Sequence, residues 1–235
     1  MVDHSRHSEQ SPKRVTSMKQ LRILIADDHE IVRQGLRLIV ERMPGAEVCG
    51  EALNGNDAVA MAEKLKPAIA VLDHGMPGLN GIEATLQIKQ VSPETEVIIF
   101  SGTESDSLVH QVFEAGARSF ISKAEAGTHL LAALESVANH KPYFTDRVSE
   151  IVFARYLQKD SSKPVETEPR SRLTAREREI VQLLAEGKTN KEIGSLLSIS
   201  TRTAETHRSA VMRKLKLRTL ADVVRYAIRN HIIQA

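Results

Sequence analysis

At 235 residues and 41% apolar composition, the chain has material for two ordinary hydrophobic cores. It contains no Trp and a single cysteine, Cys49, which excludes an intrachain disulfide and argues against recognition of bases by aromatic stacking. The formal net charge of +2 conceals a polarity: residues 21–158 carry 12 Lys/Arg against 19 Asp/Glu, whereas residues 170–235 carry 14 against 6. An acidic module followed by a basic one makes the second a nucleic-acid candidate.

Residues 1–20 are polar and read as a disordered extension, with Met18 a second candidate start. They lack the apolar segment of a signal peptide, and no later run is long enough to span a bilayer, so the expected location is cytoplasmic, without a membrane partner. Leu21 to Ala26 is a continuous apolar-rich run of the kind buried on both faces of a parallel sheet, and it ends in Asp27-Asp28. A helical pattern over 29–43 and a strand near 46–52 follow, then a helix over 55–66. Ala68 to Leu72 is a second buried-type strand, ending abruptly at Asp73 and the loop His74-Gly75-Met76-Pro77-Gly78. His74 reads as a solvated loop residue. Further helices near 80–91, 105–115 and 126–139 alternate with strands at 97–100 and 119–121, which end at Ser101 and at Ser122-Lys123. Five strands alternating with five helices predict a doubly wound, five-stranded parallel α/β sheet.

Right-handed crossovers bring the strand ends to one edge, which gathers Asp27, Asp28, Asp73, Ser101 and Lys123. Three carboxylates at close range require a cation or a raised pKa on one of them, and oxygen ligands suit a hard ion such as Mg2+. A carboxylate nucleophile flanked by a cation, a lysine and a hydroxyl has the parts for forming an acyl phosphate.

With these motifs, and with Gly116-Ala117 leading to Lys123, residues 21–140 resemble the receiver domain of bacterial response regulators. The resemblance implies that Asp73 is the phosphoacceptor and that Asp28, Asp73 and the backbone carbonyl of Gly75 ligate Mg2+, with Asp27 at the metal's edge. Ser101 and Lys123 would contact the phosphoryl oxygens. Phe120 stands where many receivers have Tyr, so the ring can turn inward with Ser101 but carries no hydroxyl.

Residues 141–171 form the expected linker, helical near 146–157 and then flexible through the Ser and Pro residues. Thr174 with Glu177 is a capping box opening a helix that Gly187 stops. A short helix over 189–197, a turn at 198–200, a helix over 201–215 and a last one over 220–230 predict an all-α helix-turn-helix domain of four helices over 172–235. At about 100° per residue, Ala204, Val211 and Leu215 face inward, while Thr206, Ser209 and Arg213 face outward.

Residues 172–233 also resemble a LuxR-type helix-turn-helix, through Leu173-Thr174, Arg176-Glu177, Thr189 to Ile193, Ile199-Ser200, Thr203, His207-Arg208 and Lys214-Leu215. The resemblance implies base reading by Glu205, Thr206 and Ser209. Thr203, Arg213 and the candidates for phosphate contact or helix orientation, Lys191, His207, Arg208 and Lys214, complete the expected DNA surface. Leu220, Val223, Val224 and Ala227 are the candidate dimer contacts. The whole corresponds to a two-component response regulator of the NarL/FixJ type. Its partners would be a sensor histidine kinase, a second copy when phosphorylated, and paired half-sites in double-stranded DNA. The competing readings are a phosphorylation-independent DNA-binding regulator with a receiver used for dimerisation, and an aspartate-nucleophile phosphotransferase. The latter expects a second acid two residues after the nucleophile, where this chain has Gly75, so the protein is read as a regulator and not an enzyme.

Overall fold

A computed structural model describes residues 20–159 and 173–234. The expected N-terminal extension, apart from Gln20, and the stretch of the linker expected to be flexible lie outside those residues. The first half is built from β1 (Leu21–Ala26), α1 (Glu30–Glu41), β2 (Ala46–Ala52), α2 (Gly55–Leu65), β3 (Ile69–Asp73), α3 (Gly81–Val91), β4 (Glu96–Ser101), α4 (Asp106–Glu114), β5 (Ser119–Ser122) and α5 (Ala126–Ala138), with a single 3-10 turn at Lys123–Glu125. The five strands are all parallel, in the order β2-β1-β3-β4-β5.

Alternate side chains along each central strand leave by opposite faces. Leu24, Ala26, Ala70, Leu72, Val97 and Ile99 join the core beneath α2, α3 and α4. Ile23, Ile25, Ile69, Val71, Ile98 and Phe100 join the core beneath α1 and α5. Burial on both faces explains why these strands are written as unbroken apolar runs.

The chain leaves α5 through Tyr143, whose carbonyl accepts from Ser119 Oγ at 2.9 Å and whose hydroxyl meets His129 Nδ1 at 2.8 Å. It then forms α6 (Asp146–Lys159), which lies along α4. Val148 and Ile151 enter the core there. Phe144 packs edge-on against Phe113 at 5.2 Å, and Arg155 pairs with Glu114 at 2.6 Å.

Glu96, at the start of β4, is nearly buried and meets two cations, Lys89 at 3.0 Å and Arg118 at 3.1 Å, and the His140 ring at 3.2 Å. Burial alone would raise its pKa, but hydrogen bonds from Arg118, Lys89 and His140 outweigh that and hold it at about 2. A carboxyl depressed from 4.5 contributes stability that is fully present above about pH 4.5 and is lost as the pH falls towards 2. Arg118 and His140 are substantially exposed, so screening limits the contribution to about 1–2 kcal/mol. Glu96→Gln is expected to lower the thermal transition at pH 7, with the gap to wild type closing between pH 4.5 and 2. A gap that stays constant across that window would show that the ion cluster contributes nothing.

The second half is helical: α7 (Ala175–Ala185), α8 (Asn190–Leu196), α9 (Thr201–Lys214) and α10 (Leu220–Arg229). Capping boxes open three of these helices, Thr174 with Glu177, Thr189 with Glu192 and Thr219 with Asp222. Ile180, Val181, Leu184, Ile193, Ala204, Val211, Val223 and Ala227 form the core. The tight turn between α8 and α9 has Ser198 at φ +53° and is closed by the Ile199 N–H donating to the Gly194 carbonyl at 2.8 Å.

Candidate functional site

The register of the sheet sets the first site. Ala26 of β1 pairs with Leu72 of β3, so Asp27 and Asp73 emerge level with one another where the strand order reverses. Both carboxylates are buried, Asp27 fully and Asp73 to 3% exposure, while Asp28 stands at the open rim. Carboxylate oxygens of Asp27, Asp28 and Asp73 and a ring nitrogen of His29 lie within 4.8 Å of one another. Lys123, delivered by the end of β5, places Nζ 2.8 Å from Asp27 Oδ2 and 3.1 Å from Asp73 Oδ1. The like-charge problem expected of the cluster is thus met by a cation from the chain itself.

Burial pushes the Asp73 carboxyl above its ordinary range, reinforced by the charge of Asp27 and opposed by Lys123. Burial would lower Lys123, but its hydrogen bond to Asp27 and the charge of Asp73 outweigh this and raise it. The oxygen-rich donor set fits a hard divalent ion. Gly75 is half-buried beside it.

Ser101 is fully buried at the end of β4. Its hydroxyl donates to the Thr103 carbonyl at 2.8 Å and accepts from the Thr103 N–H at 3.2 Å, so it is held within its own turn. Phe120 is buried in the core shared with α4. His74 corrects the sequence reading: it is 2% exposed, not solvated. Its N–H donates to the Phe100 carbonyl at 3.1 Å, extending the β3–β4 ladder one residue past Asp73, and its carbonyl accepts from Gly81 at the start of α3 at 3.1 Å.

The second site is the outer face of α9. Thr203, Glu205, Thr206, Ser209 and Arg213 are exposed together, His207 and Arg208 are half-buried beside them, and Lys191 is exposed on the preceding helix α8. Thr206 donates to the Arg202 carbonyl at 2.9 Å, and the Ser200 hydroxyl caps the helix at Thr203 N–H, 3.0 Å. Lys214 is committed elsewhere, paired at 2.7 Å with Glu177, which ties α9 to α7. Of the four dimer candidates, Val223 and Ala227 are fully buried in the domain's own core and cannot also form an outer contact. Leu220 is exposed and Val224 half-buried, and Ile228, which sequence reasoning omitted, is exposed on the same helix.

Residues 23–135 match the response regulator receiver domain, and residues 171–227 match the luxR family of bacterial regulatory proteins. The transcriptional regulatory protein LiaR of Bacillus subtilis (strain 168) is 37% identical over 213 residues, covering 91% of this chain and 99% of LiaR. The chain belongs to the response regulators that carry a LuxR-type DNA-binding domain. Response regulator protein VraR of Staphylococcus aureus (strain NCTC 8325 / PS 47) is 32% identical over 91% of this regulator and 99% of its own length. Among solved structures, the regulator resembles RcsB of Salmonella typhimurium, with a TM-score of 0.54 and 25% identity over 89% of this chain and 98% of that one. A LuxR-family response regulator from Aurantimonas sp. SI85-9A1 gives 0.55 and 31% over 58% and 97%.

Two features of the regulator escaped sequence reasoning. His29 joins the acidic rim, its Nδ1 2.9 Å from Asp28 and 3.2 Å from Asp27; its position directly after the acidic pair was the available signal. The loop after Asp73 is also held by the DNA-binding half, through residues that carried no motif: Gln182 accepts from the Asn80 N–H and Glu186 from the Gly78 N–H, both at 3.0 Å. No helix among the described residues is long and apolar enough to cross a membrane.

Proposed function

We propose that the regulator takes up a phosphoryl group on Asp73 and that this changes its occupancy of promoter DNA. The supporting observation is the buried pair Asp27 and Asp73 at one sheet edge with Lys123 between them. An Asp73 carboxylate oxygen attacks phosphorus, and the bond to the donor's leaving group breaks with its electron pair going to that group. The donor is the phosphohistidine of a sensor kinase or a small acyl phosphate. Asp27, Asp28, Asp73 and the Gly75 carbonyl would hold Mg2+, which would supply positive charge to offset the phosphoryl oxygens. Lys123, 3.1 Å from Asp73, opposes the cost of burying its charge and then holds a phosphoryl oxygen. Ser101 exchanges its bonds within the turn for one to the phosphoryl group, and the neighbouring Phe120 follows. With Gly75 two residues after Asp73, the position from which aspartate-nucleophile phosphotransferases protonate the leaving group lacks an acid, which favours a switch over an enzyme of that class.

In the DNA-binding domain, Glu205, Thr206 and Ser209 read base edges in the major groove, and Lys191, His207, Arg208 and Arg213 set register on phosphates. Lys214 acts by orienting α9 through Glu177. Leu220, Val224 and Ile228 supply the contact between two copies on paired half-sites, and the chain works in the cytoplasm.

The test is binding of the full-length protein to genomic fragments with and without acetyl phosphate and Mg2+. Site occupancy is expected to change with the phosphodonor; identical occupancy overturns the coupling. On a selected site, Thr206→Ala is expected to alter sequence preference more than affinity. Lys191→Ala should weaken all sequences alike and lower the salt slope by about one. Equal effects of the two would show the contacts to be wrongly sorted.

A further inference from the structure

One acid stands apart in the basic half of the chain. Glu177, Glu192 and Asp222 close the capping boxes of their helices. Glu179 pairs with Arg176 at 2.8 Å, and Glu186 accepts from Gln182 at 2.9 Å. Glu205 has no such partner among the described residues and is exposed. It is the single acid of α9, a helix that also carries Arg202, Arg208, Arg213 and Lys214. As the fifth residue of α9 it lies beyond the first turn, the region in which a helix N-terminus stabilises a negative charge.

A carboxylate carried into a major groove is repelled by the phosphates, and only a donor on a base edge offsets that. Guanine and thymine present acceptors there. Adenine presents its N6 amine beside the N7 acceptor, which faces a second carboxylate oxygen unfavourably. Cytosine presents the N4 amine, the donor that suits a carboxylate.

Thr206 makes a different offer. Its hydroxyl donates to the Arg202 carbonyl one turn back at 2.9 Å, so that proton is used inside the helix. The exposed side chain is left with its γ-methyl, and the apolar feature of the groove is the C5-methyl of thymine. Glu205 and Thr206 are about 100° apart around the helix, which directs them to different base pairs.

We propose that each half-site bound by this regulator contains a cytosine read by Glu205 through the exocyclic amine and, at another base pair, a thymine read by Thr206 through its methyl group. This rests on the reading of α9 as the helix that enters the major groove. Glu205 also acts against wrong sites: where the cytosine is missing, it is an unpaired charge beside phosphates.

The experiment is selection of duplexes from a random pool by the full chain, followed by titration of the selected duplex. One C·G pair is expected to be favoured at least about fivefold over the other pairs at its position. Glu205→Ala should erase that preference alone, and should bind duplexes altered at that pair more tightly than wild type does. Glu205→Gln should move the preference to A·T, because a carboxamide pairs with both N6 and N7 of adenine. At one selected thymine, replacement by uracil removes only the methyl group. It should weaken wild type about fourfold and leave Thr206→Ser unaffected. Melting curves check that each variant is folded. A cytosine preference that persists in Glu205→Ala, or a selected site without such a pair, overturns the first contact. The absence of any thymine at which uracil weakens wild type more than Thr206→Ser overturns the second. A pool that shows no enrichment overturns the placement of α9 in the groove, and both contacts with it.

Discussion

Asp73→Asn is expected to abolish labelling by acetyl phosphate, lowering the initial rate by at least about 100-fold, because a neutral amide is not a nucleophile at phosphorus. The fold should survive. Asp73 is nearly buried and its ionised form is disfavoured first by desolvation and then by Asp27, so a neutral isostere removes a cost as well as a bond to Lys123. Lys123 keeps its 2.8 Å partner in Asp27. The variant should therefore melt near the wild-type temperature and bind DNA with an affinity indifferent to phosphodonor. Full-stoichiometry label on a folded Asp73→Asn protein would remove this residue as acceptor. Retention of the phosphodonor effect on DNA without label would favour a response by another route.

Gly81→Ala should be strongly damaging for a single added methyl group. Gly81 opens α3, and its N–H donates to the His74 carbonyl at 3.1 Å, so the helix begins in direct contact with the strand end. A Cβ there would overlap the Asp73 carbonyl oxygen and lie 3.0 Å from His74 Cα. Both are backbone atoms of a laddered strand and cannot swing aside. Overpacking of this kind costs about 3 kcal/mol. Because the displaced atoms belong to Asp73 and His74, labelling should fall as well, even below the melting transition. A Gly81→Ala protein with unchanged thermal transition and labelling rate would show that α3 can retreat from the sheet without consequence.

The strands and their acids were legible because burial on both faces is written as consecutive apolar residues, and the parallel register then leaves little choice about where Asp27 and Asp73 meet. His74 was not legible. Polarity suggested solvent, but the ladder runs on to its N–H and the N-terminus of α3 closes over its carbonyl. Nor was the grip on the loop. Gln182 and Glu186 look like the wet face of an amphipathic helix. A signal was present in α7, where Ile180, Val181, Gln182, Leu183 and Leu184 are buried in succession, more than one helix face can hide in one core. A run of that width asks for a second surface, although it does not say which. Val223 and Ala227 show the reverse failure: a broad apolar band on α10 looked divisible between core and partner, and the core took its centre.

The position of α6 has a mechanical consequence. Val148 and Ile151 are sunk beside Leu108, Val109 and Val112, and Arg147 reaches Glu104 at 2.7 Å in the turn that precedes α4. The chain therefore starts toward its second half already lashed along α4, so a tilt of that helix carries α6 with it.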